Sequence, residues 1–408
     1  MTDREFATDV VRRLQAAGFR ALWAGGCVRD EILGVEPADY DVATDARPEQ
    51  VQKLFRRTHA VGASFGVIDV LGPRDAAGEW ISVQVATFRT DGNYSDGRRP
   101  DSVTYSSPED DAKRRDFTIN GMFFDPLTQE IIDYVGGKAD LANHVLKAIG
   151  DPAARFEEDK LRILRAVRMA ARFELSVDSE TLAAARRMAN QIRVVSVERV
   201  AEEFRKMLVN RHRSRALLLM NEFELVRPIL PEVGDRFDDA TVQRMDNLSG
   251  ALSFPLAFAV LLNGLDAKAV ESITRRLKLA NAEADRVSWL VDNSQFLFES
   301  LSTPTSRLQP VLVHPGIEDL IALSRATAIA SGAVLEPIEF CERILQTTPP
   351  EQLNPPPLFT GDDLRAMGLK PGPQFKRLLD AVRAGQLDGA LRTADDARAF
   401  VRSQTAPA

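Results

Sequence analysis

Apolar positions recur at helical spacing over residues 3–17, where Phe6, Val10, Val11 and Leu14 share one side. Short apolar segments at 21–24, 40–44, 67–71 and 81–88 predict strands. Helices are predicted between them at 28–33 and at 48–57, with Pro48 suited to a first helical turn. A polar stretch, 90–113, then breaks the pattern. It contains DGNYSDGRRPDS and is long for an inert connection. After it the sequence predicts a helix start around 115–122, two short strands within FFDPLTQEIIDYV, and a turn at Gly136 and Gly137. From Pro152 onward the pattern is helical, with apolar residues three and four apart over 156–173 and 196–208 and few strand signals. The Pro-rich QTTPPEQLNPPP reads as a linker into a small terminal unit. The predicted fold is an α/β head over 1–150, followed by an all-α remainder: a neck at 151–212, a body at 213–346, and a linker and tail at 347–408.

A chain of 408 residues, at ~150 per domain, accommodates two or three domains. Hydrophobic residues at 44% and charged residues at 27% exclude a largely disordered or fibrous chain. No apolar run approaches the ~20 residues of a membrane span, and the acidic N-terminal segment lacks the apolar core of a secretory signal. Cys27 and Cys341 cannot form a disulfide framework, and the four histidines are far apart, so neither a disulfide scaffold nor a zinc hydrolase is expected. These features predict a cytoplasmic, reducing setting. The net charge of −7 disfavours nucleic acid as a partner of the whole surface, although phosphate responds to local basic surface.

Two sequence features carry chemistry. Asp39 and Asp41 lie in ADYDVAT, and residues two apart on a strand point the same way, so both carboxylates would project from one face towards a shared hard cation. Alone, the pattern also fits a solvated strand edge. Just upstream, Gly25-Gly26-Cys27-Val28-Arg29-Asp30 enters a helix. Paired glycines let backbone approach an anion, helix-start N–H groups point at it, and Arg29 adds donors; a plain strand–helix turn has the same pattern. Together the two segments describe a phosphate cradle beside a metal pair.

GGCVRDEILG followed by DYDVATDA resembles the nucleotidyltransferase signature of the DNA polymerase β superfamily. More narrowly it resembles class II tRNA nucleotidyltransferases and bacterial poly(A) polymerases. KRRDFTINGM at 113–122 is similar to the family's RRDFTINAM, with Gly121 for the commoner Ala. DYVGGKADL at 133–141, EDKLRILRAVR at 158–168 and the C-terminal GLKPGP also resemble family segments, so the match covers roughly residues 20–210 in order. Segment 215–350 carries no such motif.

The resemblance implies a polymerase β-like head, Mg²⁺ held by Asp39 and Asp41 as catalytic ligands, and a nucleotide site that includes Gly26, Arg29, Arg115, Asp159, Arg162, Arg165 and Arg168. It implies that Asp159 and Arg162, read here as lying on one helical stripe with Arg165, act as an amino-acid template for the incoming base. Cytosine and adenine each present an amine beside a ring-nitrogen acceptor, which suits a carboxylate and an arginine. Uracil and guanine invert both groups. The implied activity is template-independent addition of CCA to the 3′ end of tRNA from CTP and ATP. A-only addition to CC-ended tRNA, poly(A) synthesis and a catalytically silent RNA-binding protein are the alternatives. The retained loop with Arg98 and Arg99 speaks against a C-only enzyme. Gln84 stands where many relatives have Glu, a departure that bears on the metal site. Basic residues of 186–215 and the tail are the expected RNA contacts, with no membrane partner; the oligomeric state is left open.

Overall fold

The computed structural model describes residues 1–62, 66–75, 78–92, 94, 97, 100–250 and 252–405. They form two compact units that divide between Asp235 and Arg236.

The first unit opens with helix α1 (Asp3–Ala16), whose start is fixed by a capping box: Glu5 N–H donates to Thr2 Oγ1 at 3.1 Å and Thr2 N–H donates to the Glu5 carboxylate at 2.8 Å. The side bearing Phe6, Val10, Val11 and Leu14 is buried. Strand β1 (Ala21–Ala24) is buried throughout and runs into helix α2 (Gly26–Ile32). Strand β2 (Asp41–Thr44) and helix α3 (Pro48–Leu54) follow, then strands β3 (Thr58–Gly62), β4 (Val67–Arg74) and β5 (Trp80–Thr87). β5 alternates exposed and buried positions, as a strand with one solvated face should. With β8 (Phe123–Asp125) and β9 (Glu130–Ile132) these strands make a seven-stranded mixed sheet of order β3-β4-β5-β2-β1-β8-β9, in which β2 and β5 run parallel.

The polar stretch 90–113 contains regular structure among its described residues. β6 (Arg89–Asp91) pairs antiparallel with β7 (Val103–Tyr105), and helix α4 (Pro108–Lys113) is capped by Ser107. Arg98 and Arg99 lie outside the described residues.

Two local expectations are corrected. The helix predicted around 115–122 is a single 3₁₀ turn, Thr118–Asn120. Its backbone is held elsewhere: Phe117 N–H bonds the Asp116 carboxylate at 2.9 Å and Thr118 N–H bonds the Lys147 carbonyl at 2.9 Å. The continuous helix predicted over 156–173 is two helices, α6 (Pro152–Glu158) and α7 (Leu161–Arg172). Asp159 between them is extended (φ −150, ψ 104), and its carboxylate accepts the Leu161 N–H at 3.0 Å, a local bond that competes with helix continuation. Asp159 therefore stands at a helix junction, not on the stripe with Arg162 and Arg165. Strand β3 is an element that the apolar pattern does not signal.

Helix α5 (Gly137–Ala142) and the parallel pair β10 (Val145–Leu146) and β11 (Ser176–Val177) complete the strand-bearing part. Helices α9 (Val197–Leu208) and α10 (Arg213–Glu222) pack against α7, and α8 (Ser179–Met188) packs against α6.

The second unit is helical, with no strand among its described residues. Helix Phe254–Leu262 is apolar on every side and buried at every position but Pro255, so it forms the unit's centre. The last helices (Gly361–Ala366, Pro373–Leu387 and Ala394–Thr405) enclose a separate core of Phe359, Leu364, Leu378, Val382, Ala397 and Val401. No described helix is long and apolar enough to cross a membrane.

Candidate active site

The open end of the β1–β2–β5 region faces a cleft of about 640 Å³. All nine residues assigned to the site from sequence line it: Gly26, Arg29, Asp39, Asp41, Arg115, Asp159, Arg162, Arg165 and Arg168. Eight arginines and four aspartates face this cleft in a protein of net charge −7, so positive charge is concentrated where a polyphosphate would lie.

Asp39 precedes β2 and Asp41 begins it. Both are exposed while Tyr40 between them is buried, so the two carboxylates emerge on the same side. Neither accepts a hydrogen bond among the described residues. Partial desolvation in the cleft, and then the charge of Asp39, push the Asp41 carboxyl up to about 6; Arg115 opposes the shift and Asp69 adds to it. Two adjacent carboxylates lacking hydrogen-bond donors, one of them already resisting ionisation, suit a hard divalent cation that takes few protein oxygens and completes its shell from water and phosphate. No three His, Cys, Asp or Glu among the described residues converge as a metal set. Gln84 lines the cleft beside them. It pairs in register with Asp41 on one side and with Asp69 on the other, which places a neutral amide between two acids.

The turn into α2 is made by Gly25 (φ +78), a conformation that favours glycine, and a Cβ there would stand 2.8 Å from the Arg115 guanidinium. Gly26, at the first position of α2, lines the cleft with room around it. The Arg29 guanidinium is already engaged: it donates to Asp30 at 2.8 Å and to Asn120 Oδ1 at 2.6 Å, and it stacks over Phe173. It is buried at the floor of the cleft.

The other cations are held by acids that leave donors spare. Arg115 bonds Asp111 through Nε and Nη2 and the Asn120 carbonyl through Nη1. Arg165 forks onto Asp116 through Nε and Nη2, at 3.1 and 2.7 Å. Although burial opposes it, Arg165 holds the Asp116 carboxyl well below the usual carboxylate range. Arg168 gives its Nε to Glu203 at 2.5 Å. Arg162 gives Nη1 to Glu158 and to the Arg155 carbonyl. Nη1 of Arg165 and both Nη of Arg168 keep donors for phosphate oxygens, and Nε and Nη2 of Arg162 keep donors for a base. Arg114, Asp116, Asn120, Arg172 and Arg199 also line the cleft, beyond the sequence-assigned set. Arg199 carried no signal of its own: in the sequence it is one of many arginines in 186–215.

A mixed sheet with two acids at a central strand, a glycine turn into a helix, and an arginine-lined cleft define a nucleotidyltransferase head. In agreement, residues 21–147 match the family model described as the poly A polymerase head domain, and 174–236 match a probable RNA and SrmB-binding site of polymerase A. The chain is 33% identical over 392 residues to the CCA-adding enzyme of Limosilactobacillus fermentum, covering 95% of this chain and 93% of that one. It is 37% identical over 298 residues to that of Enterococcus faecalis, covering 71% and 70%. The fold superposes on the Bacillus stearothermophilus CCA-adding enzyme in complex with CTP with a TM-score of 0.80 at 27% identity, over 99% of this chain and 98% of that one. The chain belongs to the CCA-adding enzyme family of nucleotidyltransferases.

Proposed function

We propose that the protein adds CCA to the 3′ end of tRNA, using CTP and ATP as substrates and Mg²⁺ as cofactor. The observation that carries this reading is the juxtaposition in one cleft of Asp39 and Asp41 with Asp159 and Arg162: a carboxylate pair for the reacting phosphate beside an acceptor–donor pair for a base. The names of its relatives support the same product.

On this reading the terminal 3′-hydroxyl of the RNA attacks the α-phosphorus, an oxygen–phosphorus bond forms, and the bond to pyrophosphate breaks. Asp39 and Asp41 would hold Mg²⁺, which supplies acidification of the attacking hydroxyl and neutralisation of the departing pyrophosphate. Arg165 and Arg168 orient the triphosphate through their spare donors, and Arg115 stands over the glycine turn. Asp159 accepts from the amine of cytosine or adenine while Arg162 donates to the adjacent ring nitrogen. Uracil and guanine leave both groups unpaired or opposed, which is worse than losing a bond. The basic segment 186–215 and the C-terminal helices are the proposed RNA-holding parts.

The test supplies CTP and ATP, singly and together, to tRNA lacking CCA and to tRNA ending in CC. Full CCA on the first substrate is expected. Growth on the CC-ended substrate alone would assign A-addition, and long A tails on unrelated RNA would assign poly(A) synthesis. Asp39→Ala is expected to abolish every product; a fully active variant would remove the metal assignment.

A further inference from the structure

We infer that Arg199 is the positioning residue for base selection: it clamps the Asp159 carboxylate so that a single acceptor site, in one fixed direction, meets the incoming base. The inference rests on the proposed base-reading role of Asp159 and Arg162 and extends it to a residue outside that pair.

Asp159 sits at the junction of α6 and α7, where no helix holds it. Apart from Arg199, the bond from Leu161 N–H to Oδ1 is the restraint on its side chain among the described residues. That one bond leaves Oδ2 free to swing. Arg199 reaches across from α9 and grips both oxygens, with Nη1 to Oδ1 at 3.1 Å and Nη2 to Oδ2 at 2.6 Å. A carboxylate offers about four acceptor sites. Leu161 and Arg199 take both on Oδ1, and Arg199 takes one on Oδ2. The remaining site belongs to Oδ2, and Asp159 lines the cleft. A flexible carboxylate thus becomes a reader with one acceptor, the demand that an exocyclic amine makes and a carbonyl cannot meet.

The same helix face repeats the device one turn on. Glu203, four residues after Arg199 and buried at 4% exposure, accepts Arg168 Nε. α9 therefore fixes a carboxylate at the start of α7 with an arginine and an arginine along α7 with a carboxylate. A fork is needed at Asp159 because both oxygens must be held in one plane; the ammonium of lysine is a single point charge.

The test compares full-length wild type, Arg199→Gln, Arg199→Lys and Asp159→Ala. It measures the kcat/KM ratio for CTP over UTP on tRNA lacking CCA, with thermal midpoints recorded in parallel. The ratio is expected to fall about tenfold or more in Arg199→Gln, with CTP incorporation retained, and to recover only in part in Arg199→Lys. An unchanged ratio in Arg199→Gln beside a lost ratio in Asp159→Ala would overturn the assignment to Arg199 and leave the base-reading role intact. Unchanged ratios in both would overturn the base-reading role itself. If Arg199→Gln does not fold, Arg199→Lys decides: a wild-type ratio there would show that charge suffices and would refute the clamp.

Discussion

At the scale of single residues, the site carries a conflict between stability and chemistry. The Asp41 carboxyl titrates near 6 in the folded chain, against about 3.9 when free. Its contribution to folding is therefore most favourable below pH ~4 and is lost as pH rises through about 6, where the fold must hold a charge it resists. Asp41→Asn is expected to raise the thermal midpoint of the metal-free protein at pH 7.5, to give no gain at pH 4, and to abolish nucleotide addition. Differential scanning fluorimetry with and without Mg²⁺ checks this, because the divalent ion should stabilise the wild type and leave the variant unmoved. Gly25 presents a second constraint. A side chain at φ +78 costs roughly 1–2 kcal/mol, and here it would also meet Arg115. Gly25→Ala is expected to lower the thermal midpoint and to raise KM for CTP more than it lowers kcat, as steady-state kinetics would report.

At the scale of elements, the strands and helices whose apolar residues form an uninterrupted run or a single helical face were legible in the sequence. Helix α1, strand β1 and the β8–β9 pair lie where the apolar pattern puts them, because burial alone decides those segments. The misses share a different cause. The break at Asp159 and the 3₁₀ turn at Thr118–Asn120 are set by aspartate side chains bonding nearby N–H groups, in segments whose apolar spacing runs on unbroken. Strand β3 is written into THAVG, a segment too mixed to declare itself, and gains its place by pairing with β4. The candidate site was legible further than its scaffold. Motif order named nine cleft residues but could not name Arg199, whose meaning comes from a partner forty residues away.

At the scale of the whole molecule, an acidic chain must hold a polyanion, so affinity has to come from confined basic surface and not from net charge. The C-terminal helices have their own apolar core, which makes them separable in principle. Deleting residues 355–408 is expected to weaken tRNA binding by about tenfold or more while CTP still raises the thermal midpoint of the remainder. Filter binding at two salt concentrations and a thermal shift with CTP check the two halves of that statement, and tRNA affinity unaltered by the deletion would remove the tail from the interface.

Gln84 lies between two acids on adjoining strands, and strands lie about 4.8 Å apart. Its neutral amide occupies the place between them, so Asp41 and Asp69 stand two strand spacings apart and the row is not an unbroken line of anions. Replacing it by Glu would close that gap. Gln84→Glu is expected to lower the midpoint of the metal-free chain at pH 7.5, to lose less at pH 5, and to shift the divalent-ion requirement, a titration that would reveal whether this chain trades tighter ion capture for a sheet that tolerates standing empty.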